Sequence, residues 1–213
     1  MTITITALTA QNSGEEITVS LELSDGINVE KQRQTIFTDK YIELSLKKGE
    51  IDTEKYEEIV RCAYVCTAYK KALSLLSYGS CSKKNLYIKL KSRGFDESIS
   101  TEVIEMLQNI SFIDEDDTCT REIEKCLKKL WGKKRITSHL YSKGFQNETV
   151  NNALPMLDEV DFAINCKSLI LKDYKRRLDE ARSDKAAMTK LVSALVRMGY
   201  SVSEIKSALS AIL

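Results

Sequence analysis

The residues with the chemistry to catalyse a reaction or to bind a metal ion are few, because the chain has six cysteines and one histidine. The cysteines form no CxxC pair; they are Cys62, Cys66, Cys81, Cys119, Cys126 and Cys166. Cys62 and Cys66 lie one helical turn apart, which is a spacing that allows a shared metal ion, but small buried reduced thiols are the more common case. A single histidine allows no Cys2His2 or Cys3His site from neighbouring residues. The sequence therefore predicts neither a metal centre nor a cofactor.

Catalytic groups of other kinds do not stand out either. No serine or cysteine lies at catalytic spacing from His139, so we interpret this histidine as a surface or partly buried side chain. The sequence contains no G-x-x-x-x-G-K-[ST], G-x-G-x-x-G, H-E-x-x-H or G-x-S-x-G motif. The acidic run Asp114–Asp117 lacks the glycine and the remaining ligands of a calcium loop. We therefore expect a protein that is not an enzyme.

The basic side chains are the remaining candidates for function, because their distribution is uneven. The chain has 32 basic and 31 acidic residues, yet residues 1–60 carry twelve acidic and six basic ones. Two later stretches contain no acid: Arg61–Phe95 has eight lysines and arginines, and Lys125–Asn147 has seven. The net charge of +1 is thus the sum of an acidic N-terminal part and a basic remainder, and it does not exclude a partner rich in phosphate groups.

Two interpretations of these stretches remain open. A lysine run on an amphipathic helix is most often a solvated face, and only the length of the acid-free stretches favours a binding surface. Trp131 and Tyr141 flank the basic cluster of the second stretch. In a binding surface they would stack on bases, whereas in a packed fold they would cover the core at a helix junction.

The elements that must position these side chains change along the chain. Apolar and polar residues alternate at 3–5, 17–23 and 27–29, and Asp25-Gly26 has the composition of a hairpin turn. This pattern predicts a three-stranded meander over residues 2–31. After Thr38 the spacing becomes helical, with a short helix that ends at Gly49 and a long helix that begins near Asp52-Thr53.

From residue 70 onward the sequence repeats itself. Three glycine-aromatic pairs, Gly94-Phe95, Gly144-Phe145 and Gly199-Tyr200, each follow apolar residues that lie eight and four positions earlier. Ser82, Asn147 and Ser201 are candidate helix N-caps, the last with Glu204 at capping-box spacing. Pro155 falls in the last helix of the second copy, which must kink there or end near Leu154. The spacing predicts three helices per copy.

The fold class expected from these patterns is mainly α, with three tandem three-helix modules in an elongated array behind a small strand-containing N-terminal segment. We assign residues 1–60 to the acidic N-terminal extension. The modules occupy residues 61–115, 116–160 and 161–213. The extension has two possible roles: it docks on the basic modules, where it mimics phosphate and damps DNA binding, or it only covers an apolar face.

The motifs together resemble a known family. The strings Ser82-Lys-Lys-Asn-Leu86, Phe112-Ile113-Asp114-Glu115, Gly132-Lys-Lys-Arg135-Ile136 and Arg197-Met198-Gly199-Tyr200, in this order with the glycine-aromatic pairs, are similar to the bacterial RecX family. The resemblance covers about residues 70–213, and the strand-rich start is similar to the N-terminal extension of Gram-positive members. Each motif alone is a glycine-capped helix pair, so the ordered set of three carries the resemblance.

The resemblance implies a regulator that binds the filament of the RecA recombinase on DNA. Such proteins limit RecA ATPase activity, strand exchange and filament growth, and so affect recombination, DNA repair and the SOS response; some also bind single- or double-stranded DNA. The alternative is a helical protein that binds DNA directly without a recombinase. We expect a cytoplasmic monomer, since no stretch approaches the ~20 apolar residues of a membrane span and the first residues lack a secretory signal.

The residues expected to bind the filament or DNA come from the two acid-free stretches. They are Lys83, Lys84, Lys91, Arg93, Lys133, Lys134 and Arg135. Four further basic residues are second choices because Asp173, Asp179 and Glu180 lie among them; these are Lys172, Lys175, Arg176 and Arg177.

Overall fold

A computed structural model describes residues 2–79 and 81–212 of the chain. The fold is mainly helical with a small antiparallel sheet at the N-terminus, as the sequence predicts. The chain forms two compact units. The first consists of Met1–Gly79 and Leu86–Ile110, and the second consists of Ser80–Asn85 and Ser111–Leu213.

The sheet of the first unit has four strands: β1 (Thr2–Gln11), β2 (Glu16–Ser24), β3 (Val29–Phe37) and β4 (Gly49–Ile51). Their order is β3-β2-β1-β4, and all neighbours are antiparallel. The alternation in β1 and β2 places one set of side chains on a common face, where Ile3, Ile5, Val19 and Leu21 are buried. The polar set lies on the other face.

The sheet differs from the predicted meander in three respects. Strand β3 continues to Phe37, and its buried apolar residue is Ile36, while Ile27 and Val29 are exposed. The helix after Thr38 is shorter than predicted, because α1 (Thr38–Glu43) ends well before Gly49. Gly49 does have positive φ, but it begins β4 opposite Ile5 instead of ending a helix.

The long helix α2 (Thr53–Ser77) shares its core with the sheet. Its N-terminus is capped by Asp52, whose carboxylate accepts a hydrogen bond from the Lys55 amide at 2.7 Å. Ile59 and Ala63 of α2 pack in one apolar cluster with β1, β2 and β3. Lys70 of α2 forms a 2.6 Å ion pair with Glu16, a buried residue at the start of β2. The sheet therefore covers an apolar face of α2, as in the second role considered for the extension. Residue 60 lies inside this helix.

The remaining chain is helical. Two further helices are α3 (Lys83–Lys91) and α4 (Glu97–Asn109). The second unit adds α5 (Glu115–Lys128), α6 (Lys133–Ser142), α7 (Asn147–Ala153) and α8 (Pro155–Asp158). It ends with α9 (Phe162–Asp173), α10 (Lys175–Ala181), α11 (Lys185–Arg197) and α12 (Val202–Ser210). We call α3, α6 and α11 the middle helices, because each precedes one of the glycine-aromatic pairs.

The positions matched in the sequence repeat are equivalent in the structure. The apolar residues eight and four positions before each glycine are fully buried; they are Leu86, Leu90, Ile136, Leu140, Leu191 and Leu195. The pattern of buried and exposed positions over 81–100 recurs over 131–150 with two differences. Gly94, Gly144 and Gly199 all have φ between 83 and 95°, which favours glycine. The three modules are therefore structural repeats, and their exact boundaries stay a proposal. The prediction of three helices per copy is wrong for the second and third copies, which have four helices each, because α8 follows α7 at Pro155 and α10 follows α9.

The predicted helix caps hold with one shift. Ser82 and Ser201 accept backbone hydrogen bonds from Asn85 and Glu204, and Ser201 with Glu204 forms the expected capping box. Asn147 is instead the first residue of α7, because Gln146 occupies the cap position. Helix α7 ends at Ala153, and Pro155 begins the short helix α8, where its missing amide costs no hydrogen bond.

Two equivalent junctions connect successive repeats within the second unit. In the first, the Ser82 hydroxyl before α3 donates a 2.6 Å hydrogen bond to the carbonyl of Lys143, next to Gly144. In the second, the Gly132 amide before α6 donates a 2.8 Å hydrogen bond to the carbonyl of Met198, next to Gly199. Each junction thus joins the start of one middle helix to the glycine turn after the next one.

The second junction is a direct contact between two backbones. A methyl group built on Gly132 would overlap the main chain of Gly199 and Tyr200. The Lys134 amide donates to the Gly199 carbonyl at 3.2 Å, and the Tyr200 hydroxyl donates to the Leu130 carbonyl at 2.7 Å. Gly132 has an ordinary φ of −76°, so this position needs glycine for space and not for backbone conformation.

We predict that Gly132→Ala lowers the free energy of unfolding by about 3 kcal/mol, because the methyl group meets backbone that cannot rotate away. Gly144→Ala in the same unit should cost less, about 2 kcal/mol, because its methyl group meets side-chain atoms of Ser82 and Lys84 at 3.1–3.4 Å and no backbone atom, so the positive φ supplies most of the cost. Urea unfolding of the two variants, followed by circular dichroism, measures the difference. A larger loss for Gly144→Ala would contradict the backbone junction.

Candidate functional site

The middle helices share one electrostatic property, which is that none of them contains an acidic residue. Their sequences are KKNLYIKLK in α3, KKRITSHLYS in α6 and KAAMTKLVSALVR in α11. The apolar residues at repeat spacing face the core and leave the lysines and arginines on the outer side of each helix. These three helices contain or adjoin all the first-choice basic residues.

In α3 the predicted residues are of two kinds. Lys84, Lys91 and Arg93 are exposed. Lys83 is half-buried, because its amide donates to the buried Glu115 at 3.0 Å and its ammonium nitrogen lies 3.7 Å from the second carboxylate oxygen of Glu115. Lys83 therefore has a structural partner, whereas Lys84 and Lys91 form no ion pair among the described residues.

The predicted residues of α6 divide in the same way. Lys134 is exposed, and Lys133 forms an ion pair with Asp158. Arg135 is half-buried, with its guanidinium carbon 4.1 Å from the centre of the Trp131 ring and one of its nitrogens 2.8 Å from the sulfur of Met198. Arg135 therefore packs across the second junction, and of the three residues Lys134 has the freest charge.

The two aromatic residues beside this cluster have different environments. Trp131 packs against the core of the second unit, with Arg135 over its ring and the edge-on His139 ring at a centroid distance of 5.1 Å. Tyr141 is 42% exposed, which leaves its ring available for contact with a ligand. Trp131 therefore covers the core at a helix junction and is not available to stack on bases.

One concavity brings basic and aromatic residues of the first two repeats together. It has a volume of about 510 Å³ and is lined by Lys84, Tyr141 and the backbone around Gly144, together with Glu148. The first junction creates this arrangement, because it holds the start of α3 against the turn after α6. The concavity is thus lined by one cation, one exposed ring and one carboxylate.

The second-choice residues lie on α9 and α10. Lys172, Lys175, Arg176 and Arg177 are all exposed. Arg176 forms a 3.2 Å ion pair with Glu180, and Arg177 lies over Tyr174 at 5.4 Å. Arg177 also lines a concavity of about 650 Å³ together with Lys190 and Arg197.

Lys190 and Arg197 of α11 were missed in the sequence analysis. A signal for them exists, because Lys185–Ser203 is a third acid-free stretch and contains Lys185, Lys190 and Arg197. It also has the same place in its repeat as the first two stretches, before the glycine-aromatic pair. Glu180 and Asp184 line the same concavity, so its charge is mixed.

The cysteines show the character of buried structural thiols. Burial raises the pKa of Cys66 and of Cys119 to about 11, and the pKa of Cys166 to about 12. Burial likewise raises the pKa of Cys62 and of Cys126. At neutral pH these side chains are protonated thiols, and a thiol is a poor nucleophile compared with its thiolate.

Among residues 2–79 and 81–212, no helix combines the length and the apolar character needed to cross a membrane. The long helix α2 contains several charged residues.

Comparisons with known proteins agree on one family. The family model described as "RecX, first three-helix domain" matches residues 68–107. The chain is 31% identical over 185 residues to the protein named "Regulatory protein RecX" of Clostridioides difficile, and the match covers 84% of each chain. It is 28% identical over 211 residues to the protein of the same name from Bacillus licheniformis, with 96% of this chain and 76% of that protein covered.

Solved structures of the same family have the same fold. A crystal structure of regulatory protein RecX superposes with a TM-score of 0.74 at 23% identity, and the match covers 96% of this chain and 98% of that one. The crystal structure of RecX from Lactobacillus salivarius superposes with a TM-score of 0.60 at 22% identity and covers 70% of this chain and 96% of that one.

We predict that Arg135→Ala destabilises the protein by about 1 kcal/mol, because it removes a half-buried cation from the face of Trp131. The matched change Lys134→Ala, one position earlier and exposed, should cost under about 0.5 kcal/mol. Since Trp131 is the only tryptophan, its fluorescence reports directly on the change, and its emission should shift to longer wavelength in Arg135→Ala alone. Equal stability and emission of the two variants would show that Arg135 does not pack on Trp131.

Proposed function

Since the chain belongs to the RecX family of regulatory proteins, we propose that it binds the RecA–DNA filament and limits RecA ATPase activity, strand exchange and filament growth. In this role it regulates recombination and DNA repair as a non-enzymatic protein of the cytoplasm. The observation that carries the proposal is the acid-free character of all three middle helices. In the first two repeats, Lys84 and Lys134 occupy equivalent positions, are exposed, and have no acidic partner among the described residues.

The free cations of the middle helices are the proposed contacts. Lys84, Lys91, Arg93 and Lys134 extend into solvent without an acidic partner among the described residues, so binding them to a phosphate or a carboxylate breaks no internal ion pair. Lys83, Lys133 and Arg135 have internal partners, and their proposed role is to fix the helix starts from which the free cations project. Because the free cations are spread over two helices, we expect them to make many weak contacts with an extended partner instead of forming one deep binding site.

Inhibition then follows from occupancy alone. A protein that bridges neighbouring recombinase subunits or covers their exposed DNA opposes the conformational changes that accompany ATP hydrolysis, without any catalytic group of its own.

Direct DNA binding is the second candidate, and the pairing of Lys84 with Tyr141 favours it. A cation beside an exposed ring is the arrangement that single-stranded nucleic acid contacts through its phosphates and bases. The two functions differ in their dependence on salt, because binding to DNA releases counterions and weakens steeply as salt rises.

We predict that inhibition of RecA ATPase persists at a salt concentration where the protein alone no longer binds DNA. The reason is that contacts to protein surfaces in the filament include hydrogen bonds and apolar contacts, which salt weakens less than contacts to phosphate. Parallel salt titrations of ATPase inhibition and of fluorescence anisotropy with labelled single-stranded DNA measure the two quantities. If both disappear together, the protein acts through DNA and the filament proposal is overturned.

We also predict that the double variant Lys84→Glu, Lys91→Glu requires about tenfold more protein for half-maximal inhibition, since two charge reversals lose about 1.4 kcal/mol of surface attraction. The matched control is Lys47→Glu, Lys48→Glu, which reverses two exposed lysines next to the sheet. Both variants should keep the circular dichroism of the parent protein. Equal inhibition by the two variants would remove α3 from the mechanism.

A further inference from the structure

Three side chains with metal-binding chemistry converge in the second repeat, at a place that the basic surface does not use. Glu122 and Cys126 lie one turn apart on α5, and His139 lies on the neighbouring helix α6. A carboxylate oxygen, the thiol sulfur and an imidazole nitrogen all lie within 4.8 Å of one another. The Glu122 oxygen and Nε2 of His139 are 2.9 Å apart.

We propose that Glu122, Cys126 and His139 form a binding site for a zinc ion or a similar divalent transition metal. The three donor types are those that zinc accepts. Their atoms lie close enough to surround one ion once the hydrogen bond between Glu122 and His139 opens. A thiolate and an imidazole favour such a metal over magnesium or calcium, which require oxygen donors. The fourth position on the ion is left for water or for a group of a partner molecule.

The site is accessible from solvent but anchored in the core. The side chains of Glu122 and His139 are 18% and 21% exposed, which leaves a path for an ion, whereas Cys126 is only 1% exposed. The His139 ring is held on one side by the edge-on contact with Trp131. Such support for a ligand ring fixes its orientation toward the metal.

The charges of the ligands suit a dication, whereas two nearby lysines repel it and weaken its binding. A carboxylate and a thiolate together carry two negative charges, which balance the metal. Lys125 lies 3.4 Å from the second oxygen of Glu122, and Lys143 is also close enough to favour the ionised carboxylate. Burial alone would raise the pKa of Glu122, but the hydrogen bond with His139 and these lysines hold it below its usual value.

Binding exchanges one proton for the metal. The Cys126 thiol is protonated at neutral pH, because burial raises its pKa. Its sulfur must therefore release a proton to solvent as the metal–sulfur bond forms. The hydrogen that Nε2 of His139 donates to the Glu122 carboxylate must move to Nδ1 by exchange with solvent, so that Nε2 can bind the ion. No oxidant or reductant takes part. The ion would link α5 to α6 beside Trp131 and Arg135, so metal availability would act on the second repeat and its basic helix.

The spacing of cysteines and histidines alone does not reveal this site, because one of its three donors is a carboxylate. Cys126 and His139 are 13 positions apart along the chain, and the two come together only when α6 folds back on α5. Glu122, the carboxylate that completes the set, is not distinguished in the sequence from the other acidic residues.

The experiment is titration of the full-length, metal-free protein with cobalt(II), which replaces zinc and is coloured. We expect one cobalt per chain with thiolate-to-cobalt charge-transfer absorption in the near ultraviolet, quenching of Trp131 fluorescence, and a higher Tm with zinc. His139→Asn, Glu122→Gln and Cys126→Ser should each weaken binding at least tenfold, and the Cys126 variant should lose the charge-transfer band.

Matched controls on α5 are Cys119→Ser, which replaces a buried thiol outside the cluster, and the exposed Glu124→Gln. Both should bind cobalt like the parent protein. His139→Asn and Glu122→Gln change partly exposed residues, so they remain informative if Cys126→Ser fails to fold. A parent protein without the charge-transfer band, or with binding that these two variants leave unchanged, would overturn the proposal.

Discussion

The repeats of the second unit depend on one kind of contact, in which the start of a middle helix lies against the glycine turn after the next middle helix. In one junction a serine hydroxyl makes the hydrogen bond to the turn, and in the other the backbone amide of Gly132 makes it directly. The carbonyl that accepts is the equivalent one in both, at Lys143 and at Met198. A contact this short tolerates only a small residue, and it fixes the position of each basic helix relative to the next repeat.

This constraint explains how charge is organised in the second unit. The cations nearest the junctions, Lys83, Lys133 and Arg135, are engaged by Glu115, Asp158 and Trp131. Their neighbours Lys84 and Lys134 begin the same helices and remain free. The near-neutral net charge is thus the sum of an acidic N-terminal part and a basic remainder. Some cations at the helix starts are paired internally, and the others on the middle helices stay free.

Much of the fold could be predicted from local patterns, and what was missed needed information from distant residues. The repeat was visible because burial at Leu86, Ile136 and Leu191 requires apolar side chains at constant spacing from a glycine. Strand β4 was not visible, because three residues become a strand only by pairing with β1. Helix α10 was not predicted, because it has no counterpart in the first repeat. Lys190 was not predicted, because it meets Arg177 and Arg197 in one concavity only in the folded third repeat. The internal partners of Lys83 and Arg135 follow from tertiary contacts that no spacing records, so free and engaged lysines look alike in the sequence.

The junctions have a further consequence for how anions are recognised. The first amides of a helix commonly bind phosphate, because they are unpaired and lie at the positive end of the helix dipole. In α3 the amides of Lys83 and Asn85 already donate to Glu115 and Ser82, and in α6 the amide of Lys134 donates to Gly199. A phosphate at these ends would have to displace protein oxygen atoms. The proposed contacts to a phosphate-rich partner are thereby left to the long lysine and arginine side chains, which do not impose one fixed anion geometry.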